Sequence, residues 1–70
     1  MSSKKIPSIA QNIKQKRKEL RLSQDKLSKL AKVAYNTVVK IESGENVNPT
    51  VETLRKIANA LKVGVDYLIK

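Results

Sequence analysis

From Ser8 onward the apolar positions recur at helical spacing, not at the two-residue alternation of a strand. Ile9, Ile13 and Leu20 fall near one stripe while Lys14, Gln15, Lys18 and Arg21 face away, which predicts a first helix. Ser23 reads as the N-cap of a second helix, with Gln24 and Asp25 in its first turn and Leu27, Leu30 and Ala31 as its apolar face. A third helix starts after Val33, buries Val38 and Ile41, and stops at Gly44, a residue suited to the left-handed position past a helix end. The stretch "ENVNP" is a loop closed by Pro49, and Thr50 then caps a fourth helix. In it Val51, Leu54, Ile57, Ala58 and Leu61 keep helical spacing, and Glu52 sits at the positive N-terminal end. Residues 62–64 interrupt the pattern before a short fifth helix from Val65 to Ile69. The fold class is all-α, with five short helices.

None of these helices is long enough to be stable alone, so their apolar faces must meet in one core. Helices two and three are joined only by "KVA", which forces a sharp angle between them. That angle is the geometry of a helix-turn-helix. The third helix then carries one dry face and, between its apolar positions, Tyr35, Asn36, Thr37 and Lys40. Polar residues on a helix face need no function beyond solvation, so the pattern alone does not decide what they do.

Charge changes that picture. The 70 residues carry 15 Lys and Arg against 6 Asp and Glu, a formal net charge of +9. Lys4, Lys5, Lys14, Lys16, Arg17, Lys18 and Arg21 face Glu19 alone up to Leu22, so +6 of the +9 lies in the first third. Solubility is reached with less. The excess points to a polyanion, either nucleic acid or an anionic membrane surface. The length fits one domain: a flexible basic tail over residues 1–7, then a folded unit over 8–70.

Composition also removes whole classes of chemistry. With no cysteine there is no disulfide framework and no thiolate metal site, which fits a reducing cytoplasm. With no histidine the commonest general base and zinc ligand are gone. The six acids are scattered at Glu19, Asp25, Glu42, Glu45, Glu52 and Asp66, with no nucleophile and base to serve. No catalytic site, metal, cofactor or small-molecule substrate is expected. The apolar runs are far too short to span a membrane, and no charged-then-apolar leader resembles a signal peptide.

The stretch "LSQDKLSKLAKVAYNTVVKIES", from Leu22 to Ser43, resembles the helix-turn-helix of the phage-repressor and Cro-like regulators, the XRE family. "NPTVETLRKIANALKVGVDYL" is similar to the fourth and fifth helices of the same lambda-repressor-like domain. The resemblance places the motif at residues 24–43 and implies buried side chains at Leu27, Ala31, Val33, Val38 and Ile41, all of them apolar. It implies double-stranded DNA as the partner, with the helix over about residues 34–43 in the major groove. Ala34, Tyr35, Asn36, Thr37 and Lys40 are then the base-contacting candidates. Chemistry supports the assignment: the Asn36 amide matches the N6 and N7 edge of adenine, Lys40 can donate to guanine or to phosphate, and the Ala34 methyl suits a thymine methyl. Arg17, Ser23, Gln24, Ser43, Asn46 and Asn48 are the candidates for phosphate. The resemblance also pairs Arg17 with Glu42, a bidentate ion pair that would orient the third helix.

Several positions depart from the family pattern. Ser28 stands where alanine is usual, Lys32 where the turn often has glycine, and Ala34 where a serine or threonine commonly caps. Either Lys32 adopts a positive φ at some cost or the turn differs slightly, and the third helix is expected to lack its cap. Glycines frequent near Arg21 and Lys62 are absent as well, and the loop holds Asn46, Val47 and Asn48 in place of a basic residue. Two other readings remain open from sequence. One is a protein- or membrane-surface module using the basic first helix, whose Ile9 and Ile13 stripe is narrow for insertion. The other is an antitoxin-type regulator. Val65, Leu68 and Ile69 around Tyr67 offer either a pairing patch or the closing piece of a monomer core, so a monomer or weak homodimer is expected.

Overall fold

Five helices form where the caps and the periodicity require them. In the computed structural model, which describes residues 8–70, α1 spans Ser8–Glu19, α2 Gln24–Ala31, α3 Tyr35–Ser43, α4 Val51–Leu61 and α5 Val65–Ile69. There is no strand among the described residues. The predicted basic tail over residues 1–7 lies outside them. Ser23 caps α2, its hydroxyl accepting from the Lys26 N–H at 2.9 Å. Thr50 does the same for α4, accepting from the Thr53 N–H at 3.1 Å. Ala34 occupies the cap position of α3 with no side-chain hydrogen bond.

The helix ends share one device. Arg21, Lys32 and Lys62 each adopt the left-handed conformation, with φ of 59°, 59° and 62°. In each case the next N–H reaches back five residues, Leu22 to the Arg17 carbonyl, Val33 to Ser28 and Val63 to Ala58, all at 3.0 Å. This is the Schellman motif, normally closed by glycine. Here a basic residue takes the strained position, and its charge complements the negative end of the helix dipole. Leu22, Val33 and Val63 follow the three strained residues and fold onto the core. Gly44 ends α3 in the same region, at φ 86°.

The core is aliphatic. Ile13, Leu27, Val38, Ile41, Ile57, Leu61 and Leu68 are the largest fully buried side chains, with Ala10, Ala31, Leu54 and Ala58 between them. Ala10 completes the α1 stripe, a position the apolar periodicity of larger residues did not single out. Three expectations are corrected. Leu30, assigned to the apolar face of α2, is 51% exposed, and Val51 at the start of α4 is 62% exposed. At about 100° per residue Leu30 lies on the opposite flank of Leu27 from the buried Ser28 and Ala31, whereas Val51 keeps the Leu54 stripe but stands at the first residue of α4. Leu20 falls outside α1 in the turn and is also exposed. Ser28 is buried, and its hydroxyl donates to the Asp25 carbonyl at 2.7 Å, which lets a polar residue stand where alanine is usual.

The chain closes by docking α5 on α1. The Asn12 amide donates to the Leu68 carbonyl at 2.9 Å and to the Tyr67 carbonyl at 3.3 Å, supplying the donors that a helix C-terminus lacks. Lys16 and Lys70 place their ammonium groups 5.7 and 5.3 Å from the Tyr67 ring. Leu68 is fully buried and Val65 and Tyr67 pack against the core, so most of the suspected pairing patch belongs to the monomer. Ile69 remains 53% exposed.

Candidate nucleic-acid interface

The site is built on α3, whose inner face is anchored by Val38 and Ile41 in the core. At 3.6 residues per turn, Asn36, Lys40 and Ser43 fall within about 60° of one another on the opposite side. All three are exposed, as are Ala34 and Tyr35 at the start of the helix; Thr37 is half-buried on the flank. Among the described residues the side chains of Tyr35, Asn36 and Lys40 take part in no hydrogen bond or ion pair, although the Lys40 carbonyl accepts from Ser43. Their donors and acceptors are open to a partner.

The supports around α3 are engaged instead. Glu42 is buried with its carboxylate 1% exposed. Its Oε2 accepts from Arg17 Nε at 2.7 Å and its Oε1 from Arg17 Nη2 at 3.0 Å, a bidentate fork. Arg17 Nη1 also donates to the Leu22 carbonyl at 2.7 Å, tying α1 to the turn before α2. A third donor to Glu42 is the Gln24 amide, Nε2 to Oε1 at 3.1 Å. One carboxylate near the end of α3 therefore receives α1 and the first residue of α2 together. Burying that charge is tolerable only because three N–H groups surround it. The Arg17 link was anticipated from the resemblance. The Gln24 link was not, since neither spacing nor residue type distinguishes an amide turned inward from one aimed at phosphate.

The remaining phosphate candidates differ in what they have left to offer. The Arg17 side chain is 12% exposed and has two of its five N–H groups beyond those bonds. Ser23 spends its hydroxyl as a cap, yet the Gln24 and Asp25 N–H groups of the first turn of α2 have no helical acceptor. Ser43 donates its hydroxyl to the Lys40 carbonyl at 3.0 Å and accepts from the Glu45 N–H at 3.2 Å. Asn46 holds the following loop: its N–H donates to the Lys40 carbonyl at 3.0 Å and its side-chain oxygen accepts from the Asn48 N–H at 3.1 Å. The Asn48 side chain is exposed. The structure thus brings Arg17, Gln24 and Glu42 together, and leaves the base candidates on a separate open face.

No helix of the described residues is long and apolar enough to cross a membrane. No cluster of three or more acidic, histidine or cysteine side chains that could hold a metal ion occurs among them.

Comparison with known proteins gives the same architecture. A helix-turn-helix family model matches residues 13–68. The N-terminal DNA binding domain of SinR from Bacillus subtilis superposes with a TM-score of 0.86 at 37% identity, covering 89% of this chain and 90% of that one. SinR, the master regulator for biofilm formation, solved in complex with DNA, gives the same score and identity over 89% of this chain and 98% of that one. The P22 c2 repressor in complex with a synthetic operator gives a TM-score of 0.81 at 28% identity, over 96% and 97% of the two chains. Curated protein sequences give no match. Five helices with a three-residue α2–α3 turn, a family model that spans the core of the fold and DNA-binding domains superposed over nearly the whole chain lead to one conclusion: this chain belongs to the helix-turn-helix family, in its phage-repressor-like XRE form.

Proposed function

We propose that the chain binds a specific sequence of double-stranded DNA with α3 in the major groove, and that it regulates transcription by occupying promoter DNA. The observation that carries this reading is the division of labour around α3. Tyr35, Asn36 and Lys40 keep their side-chain hydrogen-bonding groups unspent, while the groups beside them hold the helix in place. The SinR and P22 c2 domains, to which the chain is similar over nearly its whole length, were solved on DNA.

In this reading Ala34, Tyr35, Asn36, Thr37 and Lys40 meet base edges. Asn36 pairs with adenine, Lys40 donates to guanine or phosphate, and the Ala34 methyl lies against thymine. Phosphates are met by the N–H groups at the start of α2, by the remaining Arg17 donors, and by Asn48 beside the α3–α4 loop. Ser23, Gln24, Ser43 and Asn46 act by shaping the backbone that makes those contacts. In this reading binding, not chemistry, is the function; the chain acts in the cytoplasm and needs no cofactor. It is a monomer when free, and two copies occupy half-sites about one helical turn apart.

Selection from randomised duplexes tests the reading, followed by a comparison of the selected duplex with anionic liposomes at matched salt. One enriched sequence that outcompetes both random duplex and liposomes is the expected result. Equal binding to liposomes and to any duplex would leave only a basic surface.

A further inference from the structure

Val39 is the one residue of α3 whose place neither the core nor the polar face explains. It is half-buried, but unlike Val33, Val63 and Tyr67 it does not pack against the buried cluster. On a solvated helix face a valine is a poor choice, because its β-branch costs helix propensity that Lys, Glu or Ala would not. Its position is specific. Val39 follows Tyr35 by four residues and Asn36 by three, and precedes Ser43 by four, so it touches the same strip of surface. At 100° per residue it lies between Tyr35 and Asn36 around the axis, one turn further along. Helical side chains lean toward the N-terminus, which tilts its two methyl groups to the strip between those residues.

We infer that Val39 is a further specificity-determining residue, whose side chain reads the C5 methyl group of a thymine next to the base pair met by Asn36. The inference rests on the DNA-reading role of α3 proposed above. The major groove offers one apolar group among its donors and acceptors, the thymine methyl, and an aliphatic side chain set among polar ones is what recognises it. Val39 would add to the groups already named a preference that hydrogen bonding does not supply.

The test uses the duplex enriched by selection, with each thymine replaced in turn by deoxyuridine, which removes only the methyl. Wild-type protein is expected to lose affinity on the order of fourfold at the thymine under Val39, the worth of one buried methyl-sized group. Val39→Ala should bind the unmodified duplex more weakly by a similar factor and show less than a twofold deoxyuridine penalty at that position. Its penalty at any thymine under Ala34 should persist. Val39→Thr, close in shape, should keep most of the penalty. Circular dichroism should show both variants folded, and alanine there favours the helix. A preferred duplex whose deoxyuridine penalties are all unchanged by Val39→Ala overturns this inference alone. If selection yields no preferred duplex, the DNA-reading role falls and this inference with it.

Discussion

One side chain, Glu42, ties α1 and α2 to α3. Its carboxylate is buried, and Arg17 and Gln24 supply its three donors. Arg17→Ala would leave that charge with one neutral amide, at a cost of about 3–5 kcal/mol, and should weaken DNA binding at the same time because α3 loses its tie to α1. Urea unfolding measures the first effect and titration with duplex the second. A cycle with Glu42→Gln should show strong coupling, and strict additivity would mean the pair does not hold the fold. At this scale the sequence was only partly legible. Arg17 and Glu42 stand 25 positions apart, so only their likeness to a known motif linked them. Gln24 was assigned to phosphate because its residue type and helix-start position suit one. The structure gives the amide a nearer acceptor. Asn36, by contrast, kept its expected open position because nothing near it competes for its hydrogen bonds.

The elements were far more legible than their contacts. Caps at Ser23 and Thr50 and a glycine at Gly44 mark three boundaries in the sequence, and the helices begin and end beside them. Where sequence reasoning failed, the apolar residue sits at a margin: Leu30 flanks Leu27 on the side away from the buried Ser28 and Ala31, and Val51 opens α4. The departures from the family pattern make two predictions about helix ends. Lys62, held at φ 62° far along the chain from α3, should gain stability on change to glycine. Relief of left-handed strain, less the added freedom of the unfolded chain, is worth about 0.5–1 kcal/mol. That corresponds to a rise in Tm of about 2–8 °C by calorimetry, and a fall would show that the lysine stem or charge contributes more than the strain costs. Ala34→Ser should restore the missing cap of α3 and add about 1 kcal/mol. It should also alter base preference, because the same residue lies on the open face. A gain in Tm with no change in preference would remove Ala34 from the contact surface.

For the whole molecule, the charge and the fold act on different quantities. The +9 net charge sets how strongly any duplex is attracted, whereas α3 sets which duplex is preferred. With four to six phosphates neutralised per domain, the logarithm of affinity should fall against the logarithm of salt with a slope of about −4 to −5. A slope near zero with binding intact would remove the electrostatic part of the account. Sedimentation at micromolar concentration should find a monomer without DNA, since Leu68 is spent in the core and Ile69 is the one exposed apolar residue of α5. The central claim is that the open face of α3 reads sequence, and Asn36 tests it most directly. Selection on randomised duplexes with Asn36→Ala should give a site that has lost its preference at one A·T pair, with affinity for the original site down by about 1–3 kcal/mol. Gln24→Ala, run beside it, should weaken all sequences about equally, because it acts through the support of α3 and not at a base edge. If folded Asn36→Ala selects the same sequence as the wild type with undiminished preference, the polar face of α3 is a solvated surface and the account is wrong.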